Sequence, residues 1–167
     1  MVRRMVKIDP KRHTRRRPFP SWSIELPRAF RETFVAEGAG YWHAYDATRS
    51  VSLSSMEISE RNGTPVASRS ILRRMRPPRG EAIDVLPPGL AGWGVFDAAD
   101  ADARASRRLS GMLVTDGRVL ITTITCDDDA WTRRVWLSIC REYPRTVVAN
   151  QVMRADERHG PSRLARR

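Results

Sequence analysis

Apolar residues along this chain come in short alternating runs, and they recur at helical spacing in two places. Trp22, Ile24 and Leu26 alternate with Ser23 and Glu25, which predicts a half-buried strand closed by Pro27. Residues 41–46 and 49–59 predict two further strands. In the second of these, Val51 and Leu53 have one parity and Met56 and Ile58 the other, so a bulge near Ser54 and Ser55 is expected to bring all four to one core. Asn62 and Gly63 then signal a turn, and Thr64 followed by Pro65 has the chemistry of a helix start. With Ala67, Ile71 and Met75 four apart, the spacing predicts a helix over 65–76, stopped by Pro77 and Pro78. A proline-rich loop over 77–89 leads into a strand over 90–98.

The strongest local signal follows. Residues 107–114 and 118–125 are apolar and β-branched segments joined through Asp116 and Gly117, a pair that favours a tight turn with positive φ and therefore a hairpin. Asp127, Asp128 and Asp129 complement the start of a second helix, expected over 129–142. Trp131, Val135 and Ile139 lie four apart there, with Trp136, Cys140 and Tyr143 on an adjoining stripe. Val147, Val148 and Val152 suggest a last short element. This order gives the fold class as α+β: an antiparallel sheet of about five or six strands with two helices packed against it. No internal repeat is present, and no run is apolar enough to span a bilayer.

Charge changes this picture. The 167 residues carry a formal +11, but residues 1–17 hold eight Lys and Arg against Asp9 for +7, and 154–167 hold five Arg against Asp156 and Glu157 for +3. Residues 18–153 keep +1. The expected layout is a basic disordered arm over 1–20, a single α+β domain over 21–144, and a short element with a basic C-terminal tail over 145–167. Lys7 and Lys11 are the only lysines, and the guanidinium fork of the other basic residues suits phosphate oxygens. The basic start is not followed by an apolar stretch of about 7–15 residues, so no secretory signal is expected. Two cysteines, Cys126 and Cys140, are too few for a disulfide framework. A reducing, cytoplasmic setting follows.

The opening 22–27 strand, two strands, a helix, a three-stranded stretch with the Asp116-Gly117 hairpin, and a closing helix with Trp131 and Trp136 resemble the PsbP-like domains. That group includes an extrinsic photosystem subunit, a Ran-binding nuclear transport factor and small bacterial proteins. The resemblance covers about 22–143 and rests on element order. It implies a binding or accessory module, since these domains are mostly not enzymes; the basic arms depart from it.

Candidate chemistry is sparse. His13 and His159 lie in the tails, and His43 reads as a residue on the sheet surface, with neither a nucleophile partner nor metal-ligand spacing beside it. Asp97, Asp100 and Asp102 lack the glycine and distal glutamate of a calcium loop. Gly89, Gly92 and Gly94 lead into a strand rather than a helix, which points to a bulge or a close backbone approach instead of a phosphate loop. No catalytic constellation, metal site or cofactor is expected. The five tryptophans are mostly core residues, but Tyr41 and Trp42 are adjacent in a strand and point to opposite faces, which makes them the candidate partner-binding pair. The leading expectation is a non-enzymatic module docking a protein partner. The alternative is a nucleic-acid-associated protein whose Arg3, Arg4, Lys7, Lys11, Arg12, Arg15, Arg16 and Arg17 neutralise phosphates.

Overall fold

The computed structural model describes residues 12–35, 40–97, 107–115 and 117–142. Two antiparallel sheets are formed. The smaller contains β1 (His13–Phe19), β2 (Trp22–Pro27) and β10 (Cys140–Arg141), in the order β1-β2-β10. The larger contains β3 (Arg31–Val35), β4 (Tyr41–Tyr45), β5 (Ser50–Glu57), β6 (Gly80–Ala82), β7 (Ala91–Asp97), β8 (Arg108–Thr115) and β9 (Arg118–Thr125). Its order is β3-β4-β5-β9-β8-β7-β6, two meanders meeting where β5 pairs with β9. The crossover from β5 to the far edge carries α1 (Ser68–Arg74); α2 (Asp129–Leu137) follows β9.

The α+β class holds, but the single sheet of five or six strands is corrected to sheets of seven and three. The four added strands give little apolar alternation to read. β1 is Arg-rich and contains Pro18, so it looks like a tail, yet it pairs with β2 from His13↔Pro27 to Phe19↔Trp22. This corrects the expected disordered arm through residue 20: from His13 onward the chain belongs to the fold. Arg3, Arg4, Lys7 and Lys11, and the element and tail expected over 145–167, lie outside the described residues.

Packing separates the two faces of the main sheet. Its inner face meets β2 and α2, where Trp22, Ile24, Leu26, Leu53, Leu109, Leu113, Leu120, Ile124, Val135 and Trp136 form the larger core. Its outer face meets α1, where Ile71 covers Met112, Val114 and Val119, with Met56 and Ile58 beside them. The parity change in β5 therefore needs no bulge. β5 and β9 stay in register from Ser50 to Glu57, so Leu53 and Met56 point to opposite faces and feed opposite cores.

The helices are shorter than expected, for local reasons. Pro65 does not open α1; it bridges Ser59, and the Val66 N–H donates to the Ile58 carbonyl, so residues 58–66 close a small loop first. The N-cap is Ala67, with no side-chain cap. α2 is capped as its aspartates suggest, the Asp128 carboxylate accepting from the Trp131 N–H at 3.0 Å. It ends early because the Ser138 hydroxyl takes the Val135 carbonyl and receives the Glu25 N–H. Cys140 then joins β2 instead of a helical stripe. The 107–125 hairpin forms as expected, with Gly117 at φ 74°. A Cβ there would lie 2.7 Å from Pro65 Cβ and 2.8 Å from the Ile58 carbonyl oxygen, so both conformation and space select glycine.

Candidate functional site

Alternation along β4 sends Trp42 and Ala44 inward and Tyr41, His43 and Tyr45 outward. The difference is large: Trp42 is 3% exposed and Tyr41 44%. Trp42 is thus a core residue whose indole N–H donates to Glu32 at 3.2 Å, and Tyr41 is the member of the pair that faces outward. The three outward rings stack in a row, Tyr41 on His43 at 6.2 Å and His43 on Tyr45 at 5.2 Å between centroids. Register with β5 places Ser52 opposite His43. The Ser52 hydroxyl accepts from the Tyr41 hydroxyl at 2.8 Å and lies 2.8 Å from His43 Nδ1. Sequence reasoning left His43 without a partner because Ser52 reaches it only through strand pairing.

This serine and histidine are within reach for nucleophile activation. They sit on an open sheet face, however, and among the described residues no carboxylate bonds the His43 ring. The arrangement fixes the row of rings rather than assembling a triad.

Beside the row runs β3, an edge strand whose five residues are all exposed. Phe34 is 54% and Val35 49% exposed, and with Tyr41 they form an apolar end to the edge. Phe34 rests edge-on against Phe19, with centroids 6.0 Å apart. The other edges are blunted in ways proteins use against unwanted pairing. β1 carries Arg15, Arg17 and Pro18; β10 is two residues long; β6 is three residues long, and its Glu81 is held by Arg107 and Arg133.

Below Tyr45 lies a shallow depression of 390 Å³ lined by Ala29, Arg31, Tyr45, Asp46 and Ala47. Asp46 accepts from the Thr48 and Arg49 N–H groups and, at 2.9 Å, from Arg49 Nε. The Arg49 guanidinium also covers the rings of Phe30 and Trp131. Burial works to raise the Asp46 carboxyl, but the bonds from the Arg49 side chain and the two N–H groups outweigh it and hold the carboxyl below its ordinary value. A depressed carboxyl adds stability above its unfolded value, and that stability is lost as pH falls through the folded value. Asp46→Asn is expected to cost about 1 kcal/mol at neutral pH and progressively less in acid. Denaturant midpoints across a pH series check this; an equal cost at every pH would contradict it.

The basic residues expected to bind phosphate divide by position. Arg15 is paired with Glu25 and donates to Ser23 Oγ at 2.9 Å; Arg16 pairs with Glu32 at 3.1 Å and Arg17 with Glu142 at 3.3 Å. These three tie β1 to its neighbours. Burial tends to lower the Arg15 guanidinium, but its bonds to Cys140 and Glu25 outweigh that and raise it. The backbone carbonyl of Arg12 accepts the Arg28 N–H at 3.1 Å. Among the described residues no three His, Cys, Asp or Glu side chains gather as a metal site, and no helix is long and apolar enough to cross a membrane.

No protein-family model matches the chain, and no curated protein matches it. It is similar in structure to cyanobacterial PsbP (CyanoP) from Synechocystis sp. PCC 6803, seen in a solution structure. The two are 12% identical, the alignment covers 74% of this chain and 88% of that one, and the TM-score is 0.46. A score below one half neither places the chain in the PsbP-like group nor carries a role across.

Proposed function

We propose that the protein is a non-enzymatic binding module that takes up an extended segment of a protein partner along β3. The supporting observation is that β3 alone among the described sheet edges combines five exposed residues with exposed apolar side chains, Phe34 and Val35, at the end where Tyr41 lies. An added strand satisfies the free backbone groups of such an edge, and alternate side chains supply specificity. Phe34 and Val35 project to opposite faces, so the incoming segment would bury one apolar side chain on each. A cytoplasmic setting is proposed with it, on the ground that two cysteines are too few for a disulfide framework.

Peptides selected from a random display library on the full-length protein are expected to be extended and to alternate in apolarity. Replacing Phe34→Lys and Val35→Lys together should weaken their binding about tenfold or more. Thermal stability should barely change, since both side chains are exposed. Selected peptides whose affinity ignores both substitutions would overturn the reading.

A further inference from the structure

We propose that the arginines of α1 and its flanks form a docking surface for the phosphate backbone of duplex nucleic acid, independent of the β3 edge. Arg61, Arg69, Arg73, Arg74, Arg76 and Arg79 fall within one stretch that contains no Asp or Glu, and all six are exposed. The apolar side of α1 is committed to the outer face of the sheet, where Ile71 is 2% exposed and Leu72 and Met75 pack beside it. Arg69 and Arg73, one turn apart, are left on the solvent side.

Elsewhere most described arginines are neutralised: Arg15, Arg16, Arg17, Arg49, Arg107, Arg108, Arg118 and Arg133 are ion-paired, while Arg31 and Arg134, without an ion pair, lie far apart in sequence rather than in a cluster. Among the described residues, none of the six around α1 has an ion pair or a side-chain hydrogen bond. Structure does not account for them. Arg73 and Arg74 complement the C-terminal end of the helix dipole, but Arg69 sits in the first turn, where positive charge is unfavourable. Six unpaired like charges within 19 residues of chain raise the local positive potential, and a polyanion offsets that cost.

The chemistry of the patch selects the polyanion. Its charge is carried by arginine, whose planar fork grips phosphate oxygens. A bilayer-binding helix keeps an apolar face for insertion, whereas none of the exposed large apolar residues (Phe34, Val35, Tyr41, Val85 and Leu137) lies in this stretch. A protein interface has an aromatic core depleted in charge, which this patch lacks. Single strands are held by stacking on exposed aromatics. Trp93, the aromatic packed in the cluster under α1, is half-buried, with its indole N–H donated to the Met75 carbonyl at 3.0 Å. What remains is contact with a duplex backbone, without base readout.

The test titrates a fluorescent random-sequence DNA duplex, the matching RNA duplex, the single strand, and phosphatidylserine-containing vesicles with full-length protein across a salt series. The compared proteins are wild type, an Arg69→Glu, Arg73→Glu, Arg76→Glu triple variant, the same three positions changed to Gln, and an Arg3→Ser, Arg4→Ser, Lys7→Ser, Lys11→Ser variant. Wild type should bind duplex with a steep salt dependence, and the Glu triple should lose about tenfold or more in affinity and flatten the slope by about 2–3. The Gln triple, which removes charge without reversing it, should move the same way by less, with melting temperatures unchanged. The proposal is overturned if duplex does not bind at low salt, if the loss is confined to the N-terminal variant, or if vesicles or single strands bind more tightly than duplex.

Discussion

Trp136→Ala is expected to cost about 3–5 kcal/mol and to lower the melting temperature by roughly 10–20 °C. Trp136 is fully buried on the inward side of α2, and its indole N–H donates to the Val85 carbonyl at 3.1 Å. The ring therefore joins three parts of the fold: the closing helix, the sheet beneath it and the loop after β6. Removing it opens a cavity that flanking strands cannot collapse to fill, because the glycines under the ring have no side chains to move in. Trp136→Phe should retain most of the apolar burial and lose about 1 kcal/mol for the hydrogen bond, in addition to a smaller cavity term. Denaturant unfolding of the two variants separates packing from hydrogen bonding. A Trp136→Ala cost below about 1.5 kcal/mol would show that the helix is not anchored there.

Gly111→Ala is expected to cost about 1–3 kcal/mol through its clash with the Trp136 ring. Gly94 and Gly111 are paired across β7 and β8 and form the floor on which the Trp136 ring lies. A Cβ on Gly111 would stand 2.4 Å from Trp136 Cζ3 and 2.6 Å from Cη2, where the ring has no room to retreat. At Gly94 the nearest ring atom would be 3.2 Å away, so Gly94→Ala should cost less. Strain of this kind depends on the ring itself. In a Trp136→Ala background the Gly111→Ala cost should disappear or change sign, since the new methyl fills part of the cavity. A double-mutant cycle reads this directly as a coupling of order 1–3 kcal/mol; additive costs would contradict it.

Gly89, Gly92 and Gly94 read in the sequence as a bulge or a close backbone approach, but the sequence could not name the ring that lies on Gly94. Trp136 is 42 residues beyond Gly94, and only the docking of α2 brings them together. The same limit applied to His43 and Ser52. Local features were legible where a residue type has one cheap conformation: Asp116 with Gly117 marked the hairpin, Asp128 the helix cap, and the opposite exposures of Tyr41 and Trp42 followed from strand alternation alone. β3 was not legible, since an edge strand exposed on both sides has no alternation to display. β1 was hidden by its arginines, which read as a tail until Glu25, Glu32 and Glu142 are seen to pair with them. Averaging obscured the rest. The near-neutral sum over 18–153 conceals an acid-free stretch from Arg61 to Arg79, balanced by carboxylates elsewhere in the fold.

Two surfaces thus divide the functional account. In the two proposals, the β3 edge takes a peptide through its backbone groups and apolar side chains, and the α1 patch takes a polyanion through unpaired charge. They lie on different parts of the molecule, so either can be removed without the other.

Amide hydrogen exchange of the full-length protein, with and without a selected peptide at saturating concentration, tests the edge most directly. The account predicts new protection concentrated in β3, Arg31–Val35, with little change at β1 or β6. Protection elsewhere with β3 unaltered would contradict it.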